Sequence, residues 1–266
     1  MARISSRWLL WRLPAFVASA AGLLFAAGFW LALRGTLGEP IGDPPPAPAA
    51  PRPSARHEGE RLLLVLGDSL ARGTGDETGR GFAGYVLDAV RKKGNAKMAN
   101  LGVNGAESAD VLAVAATPSV RTLAASADII LVSAGGNDLS HSATRDLRSP
   151  LEAAASVEKA RTGYAANLRS ILTELRAANP KAPIDLIGLY DPFGLEGPQG
   201  RLGRSVLLGW NGALAETALA FPGVHVVPTF DLFEGRPDRL AVDRFHPNQK
   251  GHVLIAERVA QVLPDN

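Results

Sequence analysis

Ser69, Asp243 and His246 are the residue types that acyl transfer to and from an ester requires. A serine hydroxyl is a poor nucleophile at neutral pH. Ser69 therefore needs a base, and the base needs a third group that fixes its tautomer and stabilises the imidazolium. In Asp243-Arg244-Phe245-His246-Pro247 two residues separate the carboxylate from the imidazole. One loop can then present both, Asp243 accepting from one ring nitrogen while the other faces Ser69, with Pro247 restraining the loop. Taken singly, each also has a structural explanation: Ser69 as a helix cap after a strand, and Asp243 to His246 as a surface turn.

Attack on an ester creates an oxyanion, and one donor already aimed at it is commonly worth about 10²- to 10³-fold in rate. Three donors are available in outline: the Ser69 backbone amide in Gly67-Asp68-Ser69-Leu70, the Gly105 amide in Asn100-Leu101-Gly102-Val103-Asn104-Gly105, and the Asn137 side chain in Gly135-Gly136-Asn137-Asp138. Alone, Gly105 would be a turn glycine and Asn137 a loop amide capping backbone.

Ser69, Gly105 and Asn137 each follow an apolar run. Leu62 to Leu66 has the pattern of a strand buried on both faces, which places Ser69 at its carboxyl end, where open α/β sheets keep their active sites. Further strands are expected over Ala99 to Val103, Ile129 to Ser133, Ile184 to Leu189 and Val224 to Val227. Helices are expected over Gly81 to Lys93, Ser108 to Ala116, Leu151 to Ala178, Ser205 to Ala220 and Asn248 to Val262, punctuated at Gly94, Pro180 and Gly223. Strands alternating with helices indicate a three-layer α/β/α sandwich around a five-stranded parallel sheet. Gly73-Thr74-Gly75 lacks the third glycine of a dinucleotide-binding turn and is read as loop flexibility beside Ser69.

Gly67-Asp68-Ser69-Leu70, Asn100 through Gly105, Gly135-Gly136-Asn137-Asp138 and Asp243-x-x-His246 together resemble the four sequence blocks of the GDSL or SGNH hydrolases, over essentially all of residues 61 to 266. Gly67 through Asp76, Gly188-Leu-Tyr-Asp-Pro-Phe193 and Phe245 through Gly251 resemble the bacterial lipase/acylhydrolase, lysophospholipase-like branch. The resemblance implies a flavodoxin-like SGNH fold, a Ser69 nucleophile in a triad with Asp243 and His246, an oxyanion hole of Ser69, Gly105 and Asn137, and no cofactor. No catalytic position departs from the pattern.

The chain of 266 residues is 46% hydrophobic and 20% charged, enough for one catalytic domain, expected at 61–266. Its formal charge of +2 is unevenly spread. Arg3, Arg7 and Arg12 in a basic tail, 1–12, precede an uncharged, mostly apolar segment, 13–33, long enough as a helix to span roughly 30 Å of hydrocarbon. The arginines are read as topogenic rather than nucleic-acid-binding, giving a cytoplasmic amino terminus, a transmembrane anchor and an exported remainder. Small residues at Ala18-Ser19-Ala20 or Ala26-Ala27-Gly28 leave a cleaved signal peptide and secretion as the alternative; the apolar run exceeds the roughly 7 to 15 residues of a signal core. Residues 34–60, rich in proline, read as a semi-rigid spacer. With no cysteine, neither disulfides nor thiolate metal sites are available.

Other histidines carry weaker signals. His252 is expected to cap or pack a helix, His225 to be structural within a strand, and His57 belongs to the spacer. His141 follows Asn137 closely enough to line a pocket, with no carboxylate evident beside it. A metal site from His246, Asp243 and Asp68 is conceivable by ligand type, but no His-x-x-x-His pattern exists and no metal is expected. The function expected is a serine esterase that cleaves lipid-like acyl esters or O-acetyl groups of a small-molecule, lipid or glycan substrate through an acyl-enzyme on Ser69. An O-acyltransferase to envelope carbohydrate and a non-catalytic carbohydrate- or lipid-binding module are the alternatives. The segment 194–204 is either a flap over an acyl chain, through Leu195 and Leu202, or an ordinary connection.

Overall fold

Leu62 to Leu66 are buried on both faces of strand β1 (Arg61–Gly67), because parallel strands flank it on each side and helices cover both surfaces. The computed structural model describes residues 59–144, 149–192, 194 and 197–263. The expected membrane segment 13–33, the basic tail, His57 and nearly all of the spacer lie outside the described residues. Among the described residues, no helix is long and apolar enough to cross a membrane.

In chain order after β1 come α1 (Ser69–Arg72), α2 (Gly81–Arg91), β2 (Ala96–Gly102), α3 (Ser108–Ala115), α4 (Pro118–Ser126), β3 (Ile129–Ser133), α5 (Gly136–Thr144) and α6 (Pro150–Ala178). Then follow β4 (Ile184–Ile187), α7 (Gly197–Leu219), β5 (Val224–Val227), α8 (Phe230–Phe233), a 3-10 turn (Pro237–Arg239) and α9 (Gln249–Ala260). The five strands pair in the order β2-β1-β3-β4-β5, all parallel, as expected. Leu64, Leu66, Ile130, Val132 and Leu186 face α3, α4, α6 and α7; Leu63, Val65, Leu131, Ile187 and Val227 face α1, α2, α8 and α9. The alternation of one strand's residues between two cores is what makes the three layers.

The strand order reverses direction between β1 and β3. A crevice opens at the carboxyl ends of strands flanking such a switch point. Ser69 follows β1 and Asn137 follows β3, so both stand at this crevice.

Several boundaries differ from the sequence reading. β2 starts three residues earlier, at the half-exposed edge of the sheet where Lys97 and Met98 blur the apolar pattern. β4 ends at Ile187, because the backbone of Leu189 turns away to bond the Asn211 side chain in both directions, at 2.8 and 2.9 Å. Much of the segment 194–204 is helical: α7 starts at Gly197 rather than Ser205, and Leu202 lies on it. Leu195 lies outside the described residues.

Candidate active site

The turn that presents Ser69 is built by its neighbours. Gly67 ends β1 at φ 144°, and a Cβ there would meet the Ser133 carbonyl oxygen at 2.1 Å, so only glycine allows β1 and β3 to approach this closely. Asp68 caps the short α1: one carboxylate oxygen accepts from the Leu70 amide at 3.0 Å and from the Ser133 hydroxyl at 2.5 Å. Burial pushes the Asp68 carboxyl above the usual range, offset in part by those two donors. On the other side, the Asn100 side chain donates to the Ala71 carbonyl at 2.8 Å and accepts from the Gly102 amide at 2.9 Å, tying α1 to the end of β2.

The histidine loop is closed by an antiparallel bridge between Leu240 and Pro247 and by the Ala241 amide on the His246 carbonyl at 2.8 Å. Within it, one Asp243 oxygen accepts from the amides of Phe245 and His246, at 2.9 and 3.0 Å, and the other lies 2.6 Å from His246 Nδ1. The remaining ring nitrogen, Nε2, is 2.9 Å from Ser69 Oγ. With Asp243 ionised, Nδ1 carries the proton and Nε2 accepts from the serine hydroxyl, the polarity that general-base activation requires. Burial opposes ionisation of Asp243, but the His246 ring and the two amides outweigh it and hold the carboxyl below its ordinary value. Ser69, His246 and Asp243 are thus brought into one hydrogen-bonded chain.

Asn137 lines a cavity with Ser69, and its amide donates to the Ala106 carbonyl at 2.8 Å, leaving the second hydrogen of the same NH₂ group for an oxyanion. Gly105, one residue before that acceptor, is exposed at the turn after β2. The two turns are fastened further by Asp138, which accepts from the Ser108 amide at 2.8 Å and the Ser108 hydroxyl at 2.5 Å.

Beside Ser69 lies a cavity of about 430 Å³, walled by α5, α6, α7 and the segment after β4. Leu139, Val157, Leu189, Val206 and Leu207 give it an apolar wall, Tyr190 and Phe245 flank the histidine side, and Leu202 forms a rim on which it is 68% exposed. The lining is predominantly apolar, with Ser69 and Asn137 among its polar residues.

Two expectations need correction. Gly73-Thr74-Gly75 is a close-packed contact rather than a flexible stretch: Gly75 has φ 94°, and a Cβ there would meet the Pro247 carbonyl oxygen at 2.3 Å and His246 Cβ at 2.8 Å. His141 does have a carboxylate beside it, Glu107 at 2.6 Å, and it is not among the cavity-lining residues. The pairing is not legible locally because the two lie 34 positions apart and meet where the turn after β2 is bonded to the start of α5.

His252 packs as expected: it is fully buried, its Nδ1 accepting from the Phe82 amide and its Nε2 donating to the Thr74 carbonyl, both at 3.0 Å, and burial lowers its pKa. His225 stands on β5 beside Asp185 of β4. Among the described residues, no group of three or more His, Cys, Asp or Glu side chains is placed to hold a metal ion. Sequence reasoning missed the cavity wall and Tyr190, although the stretch Gly188 to Phe193 had stood out without a role.

The model of the GDSL-like lipase/acylhydrolase family matches residues 65–254. The uncharacterized protein YpmR of Bacillus subtilis is 29% identical over 209 residues, spanning 76% of this chain and 81% of its own length. The spore germination lipase LipC of Bacillus licheniformis is 28% identical over 206 residues, 73% of this chain and 92% of its own. Among solved structures, a lipase from a goat rumen metagenome superposes with a TM-score of 0.68 at 24% identity, over 76% of this chain and 96% of its own. An acetylxylan esterase from Geobacillus stearothermophilus reaches 0.57 at 21% identity, over 76% and 93%. At these identities the two superpositions establish a shared fold.

Proposed function

The chain belongs to the GDSL-like lipase/acylhydrolase family and is a carboxylic ester hydrolase; from that premise we propose that Ser69 is its nucleophile and that its substrate is an ester of an acyl chain longer than acetyl. One observation carries the reading: the hydrogen-bonded chain Ser69–His246–Asp243 opens onto an apolar cavity of about 430 Å³, most of which an acetyl group would leave empty.

In the proposed cycle Ser69 Oγ attacks the ester carbonyl as its proton passes to His246 Nε2. The negative charge that develops on the carbonyl oxygen is met by the Ser69 and Gly105 amides and the free hydrogen of the Asn137 side chain. His246 returns the proton to the departing alcohol, leaving an acyl group on Ser69. Water then attacks as His246 takes one of its protons, the carboxylic acid departs, and the proton goes back to Ser69. Asp243 stays ionised and stabilises the imidazolium in both halves.

Export on an uncleaved amino-terminal anchor at 13–33, with the proline-rich spacer holding the catalytic domain near the membrane, completes the proposal and gives a lipid-like ester a local source. That the B. licheniformis relative is a spore germination lipase accords with an acyl-chain substrate. An O-acyltransferase would use the same triad and differ in its acceptor, and a binding module would not need the triad at all.

Turnover of nitrophenyl esters from acetate to decanoate by the full chain tests this reading. Rising kcat/KM toward medium chains, with free acid as product, is expected. A preference for acetate would overturn the acyl-chain substrate, and release of product only with a sugar acceptor would point to the transferase.

A further inference from the structure

Tyr190 lies in Gly188-Leu189-Tyr190-Asp191-Pro192-Phe193, the stretch after β4 to which the catalytic cycle assigns nothing. Its ring lines the cavity, and its hydroxyl donates to the Phe245 carbonyl at 2.9 Å. Phe245 lines the same cavity and meets the His246 ring edge-on, the centroids 5.1 Å apart and the planes at 88°. Behind Tyr190 the Phe233 ring, 4.4 Å away between centroids, backs it from the protein interior. The cavity wall and the seat of the catalytic imidazole therefore share two side chains and one hydrogen bond.

We propose that Tyr190 is a positioning and specificity-determining residue, which couples filling of the acyl cavity to the seating of His246 beside Ser69. The inference rests on the acyl-hydrolase reading above. The histidine loop contains Arg244 at φ 55°, a conformation that a non-glycine residue adopts at a cost, so the loop keeps its shape only while its surroundings hold it. An acyl chain lying against Tyr190 and Phe245 excludes water from their hydrogen bond, and a bond in drier surroundings is stronger. Binding energy from the remote chain is then realised at the reacting atoms and raises kcat rather than lowering KM alone. Burial, with Asp68 and Asp243 close by, pushes the phenol well above its ordinary pKa, so the hydroxyl stays a donor throughout the working range.

The test is Tyr190→Phe, which keeps the ring in the cavity wall and removes only the donor, compared with wild type on nitrophenyl acetate and octanoate. The expected result is a loss of about tenfold in kcat on octanoate, equivalent to about 1.4 kcal/mol, with KM unchanged and a loss below about twofold on acetate. Phe245→Leu should flatten the chain-length dependence of kcat in the same way. Equal losses on both esters, a change confined to KM, or no change would overturn the coupling. Each of those outcomes leaves wild-type, Ser69-dependent hydrolysis in place, whereas its absence in the wild type would mean that the acyl-hydrolase reading itself had failed and would remove this inference with it.

Discussion

The Asn137 side chain donates to the carbonyl oxygen of Ala106 across 2.8 Å, and so joins the turn after β3 to the turn after β2. The bond holds the amide plane of Asn137 in place and ties down the residue next to Gly105. One hydrogen is spent on orientation; in the proposed cycle the other is the oxyanion donor.

Replacement of Asn137 by alanine removes both the brace and the donor. We expect kcat to fall by about 10²- to 10³-fold with little change in KM, because the developing oxyanion exists only beyond the ground state. Steady-state kinetics on a medium-chain ester checks this, and a change in KM alone would be the contrary result.

Gly75 is where the segment after Ser69 and the His246 loop touch. Gly75→Ala forces a methyl group against the Pro247 carbonyl and His246 Cβ at a backbone angle that alanine disfavours. The expected cost is on the order of 1–3 kcal/mol of stability, seen in thermal melts, together with a lowered kcat as the loop shifts. An unchanged melt and unchanged turnover would show that the loop yields freely.

Val157 lines the cavity from α6, a helix that carries none of Ser69, Asp243 and His246. Val157→Phe should occupy part of the space that an acyl chain needs. We expect octanoate turnover to fall at least about tenfold while acetate turnover stays within about twofold, each CH₂ being worth about 0.8 kcal/mol of burial. An unaltered chain-length profile would place the acyl chain elsewhere.

Asp185 is fully buried on β4 opposite His225 of β5; one of its oxygens lies 3.1 Å from His225 Nδ1 and the other has no hydrogen-bond partner among the described residues. Burial raises its carboxyl to about 6, the His225 contact offsetting only part of this. A folded-state value above the unfolded one means that the folded protein holds a proton which the unfolded chain releases. This contribution to stability is present below about pH 4 and is lost as pH rises to about 6. Asp185→Asn imitates the protonated form. It should raise stability above pH 6 by an amount on the order of 1–3 kcal/mol and flatten the dependence between pH 4 and 6. Denaturant melts across that range decide it, and a variant less stable than wild type at pH 7.5 would contradict the argument.

The central strands and the grouping of Ser69, His246 and Asp243 are legible in the sequence for physical reasons. A strand buried on both faces, such as Leu62 to Leu66, is apolar without interruption, and the spacing of Asp243 and His246 permits a pair within one loop. The sheet edge at β2 was harder to delimit, because half-exposed Lys97 and Met98 need not be apolar. The start of helix α5 has a loop's composition, because Gly136, Asn137 and Asp138 favour turns in isolation; Asp138 holds the helix through Ser108, a partner 30 residues away. Glycines at 197, 200 and 203 likewise suggested a loop where packing of α7 prevails, with Gly200 buried and Trp210 fully enclosed. Tyr190, Gly75 and the Glu107–His141 pair act through contacts between distant segments, which no local spacing encodes.

The central claim is that Ser69 carries the acyl group. Treating the full chain with a fluorophosphonate and locating the adduct by mass spectrometry, alongside turnover of a medium-chain ester, tests it most directly. One adduct is expected, on Ser69, formed in step with the loss of turnover, and no adduct with turnover down by at least about 10³-fold in a folded Ser69→Ala variant. Full turnover by that variant, or by enzyme fully labelled at Ser69, would contradict it.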